Sequence, residues 1–98
     1  MSSLTLEKDI EQKLVSIVKR HGGYCLKWVC PGWVGVPDRI VLLPRGRVTF
    51  VELKRPKGGR LSPMQKWWAK KLVSLGFRHW VLWDMEELEL FERVELRD

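Results

Sequence analysis

Residues 35–54 decide the fold: Gly35-Val36-Pro37-Asp38-Arg39-Ile40-Val41-Leu42-Leu43-Pro44-Arg45-Gly46-Arg47-Val48-Thr49-Phe50-Val51-Glu52-Leu53-Lys54. Two apolar runs, Asp38 to Leu43 and Val48 to Leu53, flank a short turn at Pro44-Arg45-Gly46-Arg47, which predicts an antiparallel hairpin. Side chains alternate along a strand, so Glu52 and Lys54 share a face and Leu53 points away. Asp38, at the outer end of the first strand, then comes close to Glu52 near the end of the second. A lone Glu-x-Lys on an exposed strand would be ordinary surface charge. Here the runs are almost continuously apolar, the pattern of strands buried on both faces. Carboxylates in that setting are costly unless a metal or a partner charge neutralises them.

Working outward, Leu6, Ile10, Leu14, Ile17 and Val18 recur at helical spacing. They predict an amphipathic helix from about Thr5 to His21, with Ser3 or Thr5 as N-cap and Gly22-Gly23 as its stop. Tyr24 to Val29 reads as a strand, and Pro31 to Pro37 as the loop into the hairpin. After the basic loop Arg55-Pro56-Lys57-Gly58-Gly59-Arg60, a second helix opens at Ser62-Pro63-Met64-Gln65 with the marks of a capping box. That loop is not a phosphate-binding P-loop, because it lacks the Gly-Lys-Ser/Thr ending. Met64, Trp68, Leu72 and Leu75 give the second helix an apolar stripe. His79 to Trp83 reads as a fourth strand, and Met85 to Phe91 as a weak acidic helix or irregular tail. The order is αβββαβ plus a tail, an α/β fold with a mixed central sheet flanked by helices.

The chain has 98 residues, the length of one small domain. No apolar run approaches the ~18 residues of a membrane span, and the N-terminal segment is too charged for a signal peptide. A soluble, cytoplasmic protein with no membrane partner is expected. Cys25 and Cys30, with no second pair, make neither a disulfide framework nor a compact zinc motif with His21 and His79. Charge is unevenly distributed. Residues 1–83 carry 16 Lys or Arg and 5 Asp or Glu, net +11; residues 84–98 carry 2 and 7, net −5. A basic body calls for a polyanion, and with no membrane-binding amphipathic pattern nucleic acid is the leading candidate.

The ordered set G-V-P-D-R-I-V-L-L-P, R-V-T-F-V-E-L-K-R-P and L-S-P-M-Q-K resembles the VRR-NUC branch of the PD-(D/E)XK nucleases, in its short stand-alone form from phages and bacteria. The likeness runs from the first helix to about Trp83. It implies a restriction-endonuclease-like αβββαβ fold, with Asp38 and Glu52 as metal ligands and Lys54 as the catalytic lysine. It also implies a glutamate on the first helix. Glu11, three positions before Leu14, fits the spacing of archaeal Holliday junction resolvases and is favoured over Glu7, whose place in the first turn is explained by the helix dipole. Gln65 matches the glutamine of the family's second helix, and its other reading is the capping box.

Hydrolysis of a phosphodiester must activate a water, align it and stabilise developing negative charge, the work of one or two hard divalent cations. Asp38, Glu52, a backbone carbonyl near Leu53 and Glu11 form a plausible oxygen shell for Mg2+, with Mn2+ as a substitute. Lys54 can orient the water or stabilise the phosphate, or form a simple salt bridge. Arg39, Arg55, Lys57, Arg60, Lys66 and Lys70 are candidates for a phosphate track. Of the six tryptophans, Trp28, Trp68, Trp80 and Trp83 are expected in the core. Trp33 and Trp67 could stack on bases or form a dimer surface, and the homodimer is preferred because junction resolvases act as pairs.

The expected function is a Mg2+-dependent endodeoxyribonuclease for Holliday junctions or other branched DNA, in phage or host replication, recombination or repair. A duplex nickase or restriction-like nuclease is the alternative, and a non-catalytic basic DNA-binding module the third reading. For the acidic tail, a solvated helix is preferred over packing on the sheet, across a dimer or as a DNA mimic.

Overall fold

A computed structural model describes residues 7–55 and 57–97. The order is α1 (Glu7–Arg20), β1 (Tyr24–Lys27), β2 (Arg39–Leu43), β3 (Arg47–Leu53), α2 (Pro63–Ser74), β4 (Arg78–Leu82) and α3 (Met85–Glu95). Ser3, Thr5 and Leu6, expected as cap and stripe of α1, lie outside the described residues, as does Pro56.

The hairpin of β2 and β3 forms as its sequence predicts, pairing Arg39 with Val51 and Leu43 with Arg47. Arg45 and Gly46, at φ 66° and 72°, make the tight turn between them in the left-handed region. β1 adds antiparallel to β2 and β4 parallel to β3, giving a mixed sheet in the order β1-β2-β3-β4.

Alternation assigns the two faces of this sheet. Val41, Leu43, Val51, Leu53 and Leu82 point one way, into a core shared with Ile10, Leu14, Ile17 and Val18 of α1. All four α1 residues are buried, and their spacing is the reason the segment is helical. The other face carries Leu26, Ile40, Leu42, Phe50 and Glu52, and α2 lies over it. Cover there is incomplete. Of the expected stripe of α2 only Leu72 is buried, while Met64 and Leu75 are exposed. Tyr24, Leu26 and Leu42 stay open to solvent because α2 sits at the β4 side of the sheet.

The largest departure from expectation is the tail. Its composition favours a solvated helix, but α3 is part of the core: Leu88, Phe91 and Leu96 are buried against α1 and β4. Asp84 caps it by accepting from Glu87 N at 2.8 Å. At its far end the buried Glu95 accepts from Trp80 Nε1 (2.6 Å) and Arg78 Nε (2.8 Å) on one oxygen, while Arg47 donates to its backbone carbonyl. The acidic composition hides an apolar stripe, Met85, Leu88 and Phe91, at helical spacing.

Candidate active site

Three elements bring the expected carboxylates together. The loop before β2 closes on the N-terminus of α2 at Gly35, at φ +85°, where a Cβ would lie 2.6–2.9 Å from Met64 and the Gln65 nitrogen. Only glycine allows that approach. The chain then passes through the buried Pro37 to Asp38, whose carbonyl accepts from Trp28 N (3.0 Å) and so extends the β1–β2 ladder by one step. Continuing the hairpin register places Asp38 opposite Glu52, on the same face. Asp38 Oδ2 accepts from Leu53 N at 2.8 Å, which fixes its carboxylate over the end of β3.

Glu52 is only 1% exposed. Burial, and next its hydrogen bond and repulsion with Asp38, push its pKa up to about 9; Lys54 opposes the rise and Glu7 adds to it. At neutral pH without a cation, Glu52 therefore holds a proton and donates it to Asp38. A half-buried carboxyl beside a buried one is chemically matched to a hard cation. The donors are all oxygen, and a dication would supply the charge whose absence raises the pKa. Among the described residues no group of three His, Cys, Asp or Glu side chains stands ready as a metal site.

Glu11, the favoured first-helix acid, is paired with a cation. Glu11 Oε2 accepts from both Nε (3.1 Å) and Nη2 (3.0 Å) of Arg39, whose remaining nitrogen donates to Cys25 O. Glu11 is thus held by a guanidinium on the face opposite Glu52. Glu7, one turn earlier, is the α1 acid whose charge is felt at Glu52. The same pairing turns Arg39, expected on a phosphate track, inward: its side chain is 13% exposed and donates to Glu11. Strand parity carries the signal, since Arg39 shares the face of the inward-pointing Val41 and Leu43.

Gln65 builds the capping box its sequence predicts, accepting from Ser62 N through Oε1 (2.8 Å) while its own N–H donates to Ser62 Oγ (3.1 Å). The cap uses the carbonyl end of the amide, leaving the amide nitrogen as the end able to face the site. Arg55, Lys57, Arg60, Lys66 and Lys70 are exposed, along the loop and helix that follow β3. Burial pushes the Cys25 thiol up to about 11, as for a core residue rather than a nucleophile. A cleft of about 500 Å³ lined by Arg47, Arg78 and Glu95 lies at the opposite ends of β3 and β4, away from Asp38 and Glu52.

The VRR-NUC domain model matches residues 6–83, which contain Glu7, Glu11, Asp38, Glu52, Lys54 and Gln65. The chain belongs to the VRR-NUC family. This VRR-NUC chain is 45% identical over 85 residues to a protein named "Putative nuclease p44" from Acyrthosiphon pisum secondary endosymbiont phage 1, covering 87% of this chain and 89% of the phage protein. A solved VRR-NUC domain superposes with a TM-score of 0.85 at 24% identity, covering 91% of this chain and 96% of that one, and shows the same fold. The family assignment makes the chain a nuclease, and the carboxylate pair lies where its sequence motifs meet. Helix α3 falls outside the matched segment although it completes the core.

Proposed function

We propose that this VRR-NUC chain is a Mg2+-dependent endodeoxyribonuclease of a single domain that cuts branched DNA, such as Holliday junctions or flaps, in phage or host replication, recombination or repair. The observation that carries the metal-dependent reading is geometric: the hairpin register sets Asp38 opposite the buried Glu52 on one face, two oxygen donors side by side. Asp38, Glu52 and the Leu53 carbonyl are the proposed ligands, with Glu7 rather than Glu11 as the α1 carboxylate, because Arg39 occupies Glu11. Mn2+ is expected to substitute. When bound, the cation would lower the pKa of a water and stabilise charge on the phosphate.

The protein groups supply the rest. Asp38 is oriented by Leu53 N and sits opposite Glu52 in the hairpin register. Glu52 must give up its shared proton to serve as a ligand. Lys54, on the same face, brings a compact positive charge that can orient the attacking water or hold a phosphate oxygen. Gln65 is placed by the cap at the N-terminus of α2, where its amide nitrogen can donate to water or phosphate. The exposed apolar sheet face at Tyr24, Leu26 and Leu42 supports action as a homodimer, which would supply two active sites for paired nicks.

The test is incubation of purified protein and Mg2+ with a four-way junction, a flap and a linear duplex of one sequence. Cleavage of the first two over the duplex is expected. Equal cleavage of all three would refute the structural preference. Absence of cleavage, with DNA binding unchanged by Asp38→Ala, would reduce the chain to a binding module.

A further inference from the structure

Of the tryptophans expected in the core, Trp80 packs against it, whereas Trp28 and Trp68 lie half-buried on the other side of the sheet. There they join an aromatic series across the α2 face. Phe77 meets Phe50 (5.3 Å between ring centres), Phe50 meets Trp28 (5.1 Å) and Trp28 meets Trp68 (6.4 Å). Trp33 and Trp67 both stand edge to face on Trp68, at 5.8 and 5.1 Å. Trp68 is fixed by donation from Nε1 to Val34 O at 2.9 Å, so both outer indoles rest on an anchored ring. Those outer rings are open to solvent, Trp33 at 61% and Trp67 at 47%.

Two further observations say what covers them. The first is position: Glu52 and Lys54 project from the same face as Phe50, Trp33 lies in the loop that delivers Asp38, and Trp67 follows Gln65 by two residues. The second is charge. A shallow cleft of about 310 Å³ is lined by Trp67, Lys70, Lys71 and Ser74. Residues 53–83 include eight Lys or Arg and not one acid. A second copy docking over Trp33 and Trp67 would bring the cations of α2 together, away from the apolar patch at Tyr24, Leu26 and Leu42, whereas a nucleic acid strand supplies both the missing negative charge and flat apolar rings.

We propose that Trp33 and Trp67 form a stacking site for unpaired nucleobases of the DNA strand beside the carboxylate pair, with Lys70 and Lys71 contacting the adjoining phosphates. The inference rests on the nuclease reading above and specifies what its substrate presents: strand with single-stranded or splayed character at the site. The indoles supply base-independent affinity, since every base has a stackable face.

Binding of the 98-residue protein is measured in EDTA to an oligothymidylate and to a blunt duplex of the same length. Trp33→Ala and Trp67→Ala are each expected to lower the ratio of single-strand to duplex affinity about tenfold. Trp67→Phe should recover most of it. In the unaltered protein, replacing the thymine bases by abasic sites should cause a comparable loss, and Trp67→Ala should then add little. An unchanged ratio in both alanine variants, or an abasic penalty as large in Trp67→Ala as in the parent, overturns the proposal while leaving cleavage by the unaltered protein as the separate measure of nuclease function. An unchanged ratio with sedimentation shifted from dimer to monomer would assign the face to a second copy and equally overturn it. A parent protein that neither binds nor cuts DNA overturns both readings.

Discussion

Glu52→Gln is expected to make the metal-free protein more stable while abolishing cleavage. Glu52 is buried against Asp38, and its pKa is pushed up to about 9 from an ordinary 4.5. Between those values the folded protein holds a proton that the unfolded chain has released. The associated stability is fully present below pH 4.5 and is lost progressively as pH rises through 9. At pH 7.5 the cost of proton uptake is at most about 4 kcal/mol, roughly three pH units at about 1.36 kcal/mol each. Glutamine keeps the shape of protonated glutamic acid and can donate to Asp38 in the same way, but needs no proton from solvent. Urea unfolding in EDTA at pH 5, 6.5, 7.5 and 8.5 should therefore show a gap between variant and parent that widens with pH, reaching about 2–4 kcal/mol at pH 7.5. Comparison at each pH removes the opposing contribution of His79, whose pKa burial lowers and which destabilises the fold as pH falls below its ordinary value. Saturating Mg2+ should raise the parent and leave the variant nearly unmoved. A gap independent of pH, or a variant less stable than its parent at pH 7.5, would refute the reasoning.

Glu7→Gln should depress Mg2+-dependent cleavage more than Glu11→Gln, whereas Glu11→Gln should lower the melting temperature more because it breaks the Arg39 pair; cleavage rates and melting curves of the two variants decide between them. Lys57→Ala with Arg60→Ala should flatten the salt dependence of DNA binding, by up to about 0.9 in log–log slope for each phosphate that is no longer neutralised, read from titrations at several salt concentrations. Phe91→Ala should cost about 3–5 kcal/mol in urea unfolding, because the ring is fully buried against Trp80. If Lys54 acts through charge alone, Lys54→Arg should retain much of the cleavage rate; near-total loss would show that its geometry matters.

The hairpin, the order of elements and the capping box are legible because each is written in local chemistry: a period of two, turn residues, and Ser62 with Gln65 at the right spacing. The meeting of Asp38 and Glu52 is legible too, since register follows from a short turn. What stays hidden depends on long-range partners. Nothing near Glu11 in sequence announces Arg39, 28 residues away, as its partner. The burial of Glu95 needs Arg78 and Trp80 from the neighbouring strand, and composition alone makes that segment look solvated. The tryptophans mislead for a related reason. Strand and helix positions suggest a core, but a short α2 covers its face only in part, so the rings gather at the open edge.

Because α3 is buried on the α1 side, its carboxylates Glu86, Glu87, Glu89 and Glu92 are held behind the sheet, while Lys54, Arg55, Lys57, Arg60, Lys66, Lys70 and Lys71 follow β3 onto the other side. The four-stranded sheet therefore stands between an acidic helix and a run of cations, and the charge is uneven across it. In the field of a polyanion such a body does not tumble freely. It is turned before it touches, with the face that carries α2 leading, so that encounters are biased toward one orientation.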